Sequence, residues 1–301
     1  MVGHVWILGR IGPSLLSRAV ANLVDTMHLG RDRVIGAWEV QPGVIVDPGP
    51  GSTVETLLEG LEAEPRALLL THIHLDHAGA SGVLARRFPE LQVYVHKVGA
   101  PHVIDPSRLL QSAERLYGDE MEKLWGEVAP VPEDRVTILQ GGEEVDGLDV
   151  HYAPGHARHH VVYHDRRSGD VYTGDVAGVR VPPSDFAAAP TPPPEIEVEV
   201  WLASIQMIRS LEPKRLCMTH FGENDDVEGQ LARVEAWLKD ASEESSHDEP
   251  ERFAEWLHAR FDAEGGEVAE RLRQAMPPDQ LWLGLERYWR KRRELEGESA
   301  A

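Results

Sequence analysis

The stretch "LLLTHIHLDHAG", from Leu68 to Gly79, is the most informative part of this chain. It begins as an apolar run typical of a buried strand, and it then places three histidines and an aspartate between His72 and His77. Side chains two positions apart point in different directions on a helix, so His72, His74 and His77 cannot share one helix face. The segment is therefore predicted to leave a strand as a loop whose side chains converge on one point.

A bound metal ion is the simplest explanation for such a dense group of ligands. Neutral imidazole and carboxylate groups are ligands for zinc, manganese or iron, and the sequence leaves the choice among these metals open. The chain contains one cysteine, Cys217, so neither an internal disulfide nor a structural site built from several thiolates can form. Cys217 lies in an apolar run and is predicted to be a small core residue.

Composition limits the partners of the chain. Its 301 residues are 42% hydrophobic, which is enough to bury a full core. The 51 acidic residues outnumber the 30 basic ones, and a net charge of -21 repels phosphate backbones and anionic membranes, so we expect neither nucleic acid nor a membrane as partner. Residues 2–12 lack the basic region and the long apolar run of a signal peptide, which predicts a cytoplasmic location. The oligomeric state stays open, with a homodimer among the alternatives.

The alternation of strand and helix patterns predicts an α/β architecture. Apolar runs bounded by Gly and Pro predict strands at Gly43 to Gly49, Ala67 to Leu70, Leu91 to Val95, Arg135 to Leu139, Leu148 to His156, His160 to Asp165, Asp170 to Asp175 and Lys214 to His220. Helical spacing of apolar residues occurs at Thr53 to Ala63, Ser81 to Phe88 and Glu199 to Leu211. Helical patterns alone follow Asp225, which predicts a catalytic domain over residues 1–223 and a helical C-terminal region over 224–301.

Further ligands stand at the ends of later strands: His156 closes "HYAPGH", Asp175 closes "VYTGD" and His220 closes "LCMTH". With the H-x-H-x-D-H pattern of "THIHLDHAG", these motifs resemble in order those of the metallo-β-lactamase superfamily, from about Arg33 to Gly222. The pattern is most similar to the glyoxalase II and lactonase branch. The resemblance implies a four-layer αβ/βα sandwich with metals at one edge of its two sheets, followed here by the helical appendage.

The resemblance also implies a role for individual residues. Two divalent ions are expected, zinc in the first place and iron or manganese as alternatives, with the ligands His72, His74 and His156 for the first ion, Asp76, His77 and His220 for the second, and Asp175 bridging the two. Asp76 would orient the hydroxide shared by the ions and shuttle its proton. Asp47, in "VDPG", would lie buried beneath the metals, and His160 would hold a ligand carboxylate.

The substrate side of the site is predicted from two segments beside the expected metal edge. The helical insertion from His96 to Pro130 and the loop from Ala177 to Glu195 both lie between core strands, where substrate choice is usually decided. Ordinary helix packing and surface exposure are the alternatives for these segments. The candidate pocket residues are Tyr117, Trp125, His159 and Arg180.

The expected function is hydrolysis of a small-molecule substrate, a thioester, lactone or ester, by the metal-bridging hydroxide. The motif "THFG" at Thr219 departs from the His-Glu-Tyr of glyoxalase II, which separates this chain from hydroxyacylglutathione as the expected substrate. Two alternatives stay open at this point. One is a mononuclear iron sulfur dioxygenase of the same fold, and the other is a non-catalytic ligand-binding regulator.

Overall fold

The computed structural model describes residues 21–299, and its centre consists of two six-stranded sheets. The first sheet contains, in spatial order, β1 (Asn22–Asp25), β2 (Gly36–Gln41), β3 (Val44–Val46), β4 (Ala67–Leu69), β5 (Gln92–His96) and β6 (Val136–Leu139). The second contains β14 (Gly222–Asn224), β13 (Arg215–Met218), β10 (Asp170–Gly174), β9 (Val161–Asp165), β8 (Leu148–Tyr152) and β7 (Glu144–Val145). A separate hairpin is formed by β11 (Val179–Arg180) and β12 (Ala187–Ala188). Strands β3 to β6 run parallel, as do β10 and β13.

Helices cover the outer faces of both sheets. On the side of the first sheet lie α1 (Val54–Gly60), α2 (Leu75–Ala78), α3 (Ser81–Arg87), α4 (Ala100–Ile104), α5 (Ser107–Tyr117) and α6 (Met121–Trp125). On the side of the second lie α7 (Val198–Ser210), α8 (Val227–Ser245), α9 (Pro250–Glu264), α10 (Gly266–Ala275) and α11 (Pro278–Ser299). Within the described residues, no helix is long and apolar enough to cross a membrane.

The layers follow from the two-residue period of the strands. In β3, Val44 and Val46 point into the core between the sheets, whereas Ile45 points to the outer helices. In β9, Tyr163 faces the core between the sheets and Val162 faces the helices on the other side. Both faces of the central strands are therefore apolar, which requires a helical layer on each side, and the predicted four-layer sandwich is confirmed.

The helices after residue 224 pack on the β11–β12 hairpin, on α7 and on one another. Trp237 of α8 and Phe261 of α9 belong to the same hydrophobic cluster as Val171 and Leu216 of that sheet. Burying such aromatic side chains contributes about 1.5 to 3 kcal/mol each. The C-terminal helices thus share a continuous core with the sandwich.

Most predicted strands and helices form within one or two residues of their expected bounds. The segment Ala177 to Glu195 was expected to be a loop but contains the β11–β12 hairpin, so that expectation was wrong. The sequence analysis also predicted no strand at β1, β2, β7 or β14. Residues 2–12 lie outside the described residues, so the cytoplasmic location that rests on them stays a prediction.

Candidate metal centre

The candidate ligands meet because several strands end at the same edge of the sandwich. Strand β4 leads through Thr71 into His72, β10 leads into Asp175, and β13 leads through Thr219 into His220. Neighbouring parallel strands, β3 with β4 and β10 with β13, place their carboxyl ends side by side.

The segment from His72 to His77 turns from extended chain into the one-turn helix α2. His74 precedes this helix in an extended conformation, with φ -61° and ψ 151°, and Asp76 and His77 lie within it. The change of backbone conformation sends successive side chains in different directions. His72 and His74 therefore reach one side of the site, while Asp76 and His77 reach the other.

The first group of donor atoms surrounds His74. His74 Nδ1 lies 3.0 Å from His72 Nε2 and 2.9 Å from His156 Nε2. Two ligands about 2.1 Å from one metal ion at an angle near 90° would themselves be about 3.0 Å apart, so these distances suit ligands of a shared ion. On the far side of its ring, His156 Nδ1 lies 3.0 Å from the carbonyl oxygen of Pro190, so Nε2 is the ring nitrogen that faces the site.

The second group of donor atoms consists of Asp76, His77 and His220. Asp76 Oδ2 lies 3.3 Å from His220 Nε2 and 3.7 Å from His77 Nε2. His220 Nδ1 lies 2.6 Å from the carbonyl oxygen of Val34, and this contact turns Nε2 toward the site. The two groups are therefore distinct, and each has at least three potential ligands.

Asp175 lies between the two groups and directs one carboxylate oxygen to each. Its Oδ2 lies 3.3 Å from His156 Nε2 and 4.0 Å from His72 Nε2. Its Oδ1 lies 3.1 Å from His77 Nε2 and 3.6 Å from His220 Nε2. This is the placement required of a carboxylate that is shared by two ions.

Asp47 lies fully buried beneath the site and joins its strands together. Its Oδ1 accepts a hydrogen bond from the backbone N–H of Thr71 at 2.8 Å. Its Oδ2 accepts bonds from the hydroxyls of Thr71 at 2.7 Å and Thr219 at 3.0 Å, and lies 2.8 Å from His77 Nδ1. One carboxylate therefore anchors both sheets and orients a candidate ligand.

The remaining predicted site residues lie in three different places. His160 stacks on His72 and accepts a hydrogen bond at Nε2 from the backbone N–H of Asp175 at 3.3 Å, so its contact is with the main chain. His159 Nε2 lies 3.9 Å from a carboxylate oxygen of Glu195. Arg180 donates to the carbonyl oxygen of Glu223 at 2.7 Å.

Burial and charge divide the histidines into two kinds. Burial lowers the pKa of His72 well below its usual value and that of His156 to about 3, so both imidazoles are neutral ligands. Burial would also lower the pKa of His77, but Asp175, Asp76 and Asp47 raise it well above the usual value. The nearby carboxylates similarly outweigh burial and raise the pKa of His220. The carboxylates around the second group of donors thus favour a positive charge at that position.

The residues present fit two divalent metal ions. Asp175 is nearly fully buried, and within the described residues its ion-pair partners and those of Asp76 are all histidines. Within residues 21–299, His77 Nε2 and Asp175 Oδ1 are buried without a hydrogen-bond partner, although they lie only 3.1 Å apart. Buried polar atoms are rarely left unsatisfied, and metal coordination would satisfy both of these. The set of imidazoles and carboxylates is one that zinc, iron and manganese accept.

A deep cavity opens beside this centre, and two predicted pocket residues lie on its wall. It has an empty volume of about 1140 Å³ including its mouth, and Tyr117 and Trp125 line it. His159 and Arg180 are not among the described residues that line it. The lining residues that the sequence analysis missed include His28, Met276, Gln274 and Gln280. These four have no ligand spacing and reach the cavity only through tertiary packing, so no local pattern could have indicated them.

Comparison with known proteins gives three results. A model of the metallo-beta-lactamase superfamily matches residues 39–220. A metallo-beta-lactamase fold-containing protein of Sulfurisphaera tokodaii is 31% identical over 196 residues, which cover 60% of this chain and 68% of that protein. A hydroxyacylglutathione hydrolase of Thermosynechococcus vestitus is 29% identical over 132 residues, covering 44% of this chain and 42% of the hydrolase.

Among solved structures, the chain is similar to TTHA1623 in a di-iron-bound form. The TM-score is 0.50 at 26% sequence identity, and the match covers 66% of this chain and 93% of that one.

Proposed function

The chain belongs to the metallo-beta-lactamase superfamily, and on this premise we propose that it is a metal-dependent hydrolase with two divalent ions. The proposed substrate is a small molecule with a thioester, lactone or ester carbonyl. The similarity to a hydroxyacylglutathione hydrolase supports hydrolysis as the reaction class, and the similarity to a di-iron protein supports two ions. Zinc is the metal that we propose first, with iron or manganese as alternatives. A net charge of -21 argues against nucleic acid as the substrate.

The position of Asp175 carries the proposal. Its Oδ2 faces His156 at 3.3 Å and its Oδ1 faces His77 at 3.1 Å, so one carboxylate serves both groups of ligands. A site for a single ion would have no use for a second set of three donors around Asp76. This arrangement favours two ions over the mononuclear iron alternative.

When bound, two divalent ions would polarise the substrate carbonyl and lower the pKa of a water molecule to about 7. The residues of the chain would orient the reactants and move the proton. The Asp76 carboxylate lines the cavity and has Oδ2 turned toward His220, so Oδ1 is the oxygen that we propose to hold the attacking water and accept its proton. His77 and His220 would be held in place by Asp47 and by the carbonyl oxygen of Val34.

The proposal is tested by metal content and turnover measured on the same preparation. Protein purified without a chelator should contain about two divalent ions per chain by elemental analysis. A panel of thioesters, lactones and esters should then yield at least one substrate whose turnover disappears on chelation and returns with metal. A stoichiometry near one iron, with oxygen consumed on persulfide substrates, would support the sulfur dioxygenase instead. Two ions with no turnover on any member of the panel would support a non-catalytic regulator.

A further inference from the structure

The cavity beside the metal centre has a metal end and a distal end. His74, Asp76, Asp175 and His220 line the metal end. The distal end lies between helices α5 and α6 on one side and the turn that joins α10 to α11 on the other. A substrate whose carbonyl lies at the metal centre can place one of its two substituents in this distal space.

The distal walls are apolar and come from three separated parts of the chain. Leu109 and Leu116 of α5 form one wall, the prolines at positions 190 and 192–194 form a second, and Met276 and Leu281 form the third. Apolar walls of this kind gain free energy mainly by removing apolar ligand surface from water.

The described residues that line this cavity provide no lysine or arginine that could bind an anion. The charged carboxylates Asp76 and Asp175 lie at the metal end. His28 lies in the wall, stacked on Trp125 with ring centroids 5.6 Å apart, and its Nε2 lies 2.9 Å from the carbonyl oxygen of Leu124. Burial lowers the pKa of His28, so this ring does not supply a positive charge.

The other polar groups of the distal end are neutral, and within the described residues Trp125 Nε1 is buried there without a hydrogen-bond partner. The hydroxyl of Tyr117 donates to Gln280 Oε1 at 3.2 Å, and Gln274 Nε2 donates to the carbonyl oxygen of His28 at 3.0 Å. A carboxylate placed here would lose its hydration without gaining a counter-ion, which is strongly unfavourable. An apolar group placed here would lose no comparable hydration free energy.

We infer that the substrate carries an uncharged, apolar acyl or aryl substituent that occupies the distal end of this cavity. The inference rests on the proposed function for the position of the carbonyl at the metal centre. It narrows the substrate class to neutral apolar thioesters, lactones or esters, and it disfavours substrates whose substituent carries a carboxylate, such as glutathione thioesters. It also assigns Met276 and Leu281, from the C-terminal helical region, to substrate specificity.

The test compares substrates that differ only in a terminal charge. The N-acetylcysteamine thioesters of octanoate and of suberate have the same chain length, and the second ends in a carboxylate. With metal-loaded protein, kcat/KM for the octanoyl thioester should exceed that for the suberoyl thioester by about 100-fold. Equal values, a preference for the charged chain, or faster turnover of S-lactoylglutathione would overturn the inference and leave hydrolysis intact.

A matched pair of variants on α5 locates the effect. Leu116→Arg places a cation in the cavity wall, and it should reduce the preference for the neutral thioester at least tenfold. Leu110→Arg adds the same charge to the same helix at a position outside the cavity lining, and it should leave the preference unchanged. An equal response of the two variants would show that net charge, and not the cavity, determines the preference.

A binding measurement separates the inference from the proposed function. Octanamide and the monoamide of suberate cannot react as thioesters, and calorimetry on metal-loaded and chelator-treated protein reports their affinities directly. Tighter binding of octanamide, without turnover of any thioester, lactone or ester, would retain the apolar site and reject the hydrolase. Failure of octanamide to bind more tightly than the charged analogue would reject the apolar site, whatever the turnover.

Discussion

Asp47 Oδ2 lies 2.8 Å from His77 Nδ1, and this contact points the other ring nitrogen of His77 toward Asp175. The same carboxylate binds Thr71 after β4 and Thr219 after β13, so it connects the ends of strands from both sheets. A ligand is thereby oriented by a group that also holds the sandwich together. Metal affinity and folding stability should therefore respond together when Asp47 is changed.

Asp47→Asn should lower both the stability of the fold and its metal content. The amide nitrogen would face donors that now bond to a carboxylate oxygen, and leaving a buried donor unsatisfied costs about 1 to 3 kcal/mol. We expect a loss of about 2 kcal/mol or more in the free energy of unfolding, measured by urea denaturation. Asp146→Asn is the control, because φ is 50° at Asp146 and 51° at Asp47, yet Asp146 lies in a turn where its carboxylate pairs with the exposed Arg66, and such an exposed pair contributes at most about 1 kcal/mol. A similar loss in both variants would trace the effect to backbone conformation alone.

Asp175→Ala should remove nearly all turnover and reduce the metal content below two ions per chain. The side chain is the one that faces both groups of ligands, whereas the sheets do not depend on it for packing. Elemental analysis, turnover and circular dichroism on one preparation test this prediction. Asp185→Ala, at an exposed position in the following loop, should leave all three unchanged. Wild-type turnover in Asp175→Ala would remove this residue from the site.

Chelation should lower the melting temperature, and metal should restore it. Asp76 and Asp175 are held close together beside the cavity, and bound cations would offset their repulsion only in the folded state. A ligand present at 100 times its Kd stabilises the folded state by about 2.7 kcal/mol. Scanning fluorimetry during a zinc titration should show a rise that ends near two equivalents. An unchanged melting temperature would speak against metal sites that exist only in the folded protein.

Replacing Tyr117 and Trp125 by Ala should change the preference between short and long acyl substrates more than it changes metal content. Both rings line the cavity, and they contact each other with centroids 5.1 Å apart. Tyr117→Phe is the conservative variant, because it keeps the ring and removes only the hydrogen bond to Gln280. Measurement of kcat/KM over a series of acyl chain lengths tests this prediction. If kcat/KM falls by the same factor for all substrates, the aromatic rings only support the fold.

Gly155→Ala should disturb the loop that presents His156. Gly155 has φ 127°, and an added Cβ would lie 2.3 Å from the backbone of Trp201. The steric clash adds to the free-energy cost of a positive φ at a residue with a Cβ, so we expect a loss of about 3 kcal/mol or more in unfolding free energy. Gly142 also has a positive φ, 104°, but the space around an added Cβ is open. Gly142→Ala should therefore lose only about 1 to 2 kcal/mol of unfolding free energy. Equal losses would show that the approach of Trp201 does not constrain this loop.

The local patterns of the sequence predicted an α/β fold and a metal-binding loop, and its resemblance to the metallo-β-lactamase superfamily implied the four layers and the set of candidate ligands. An unbroken apolar run such as Val44, Ile45 and Val46 indicates a strand that is buried on both faces, because side-chain direction in a strand has a period of two residues. The dense spacing of His72, His74 and His77 likewise indicates a converging loop. These signals are local, and local backbone geometry is sufficient to interpret them.

Only the tertiary structure decided how these residues meet. Nothing in the sequence indicates which oxygen of Asp175 faces which histidine, or that His28 and Gln274, which are 246 positions apart, share one cavity wall. Such contacts depend on how α10 and α11 pack over the sandwich, through a core assembled from many distant side chains. The candidate ligands were therefore recognisable from sequence, whereas the apolar surroundings of the cavity follow from packing between distant segments.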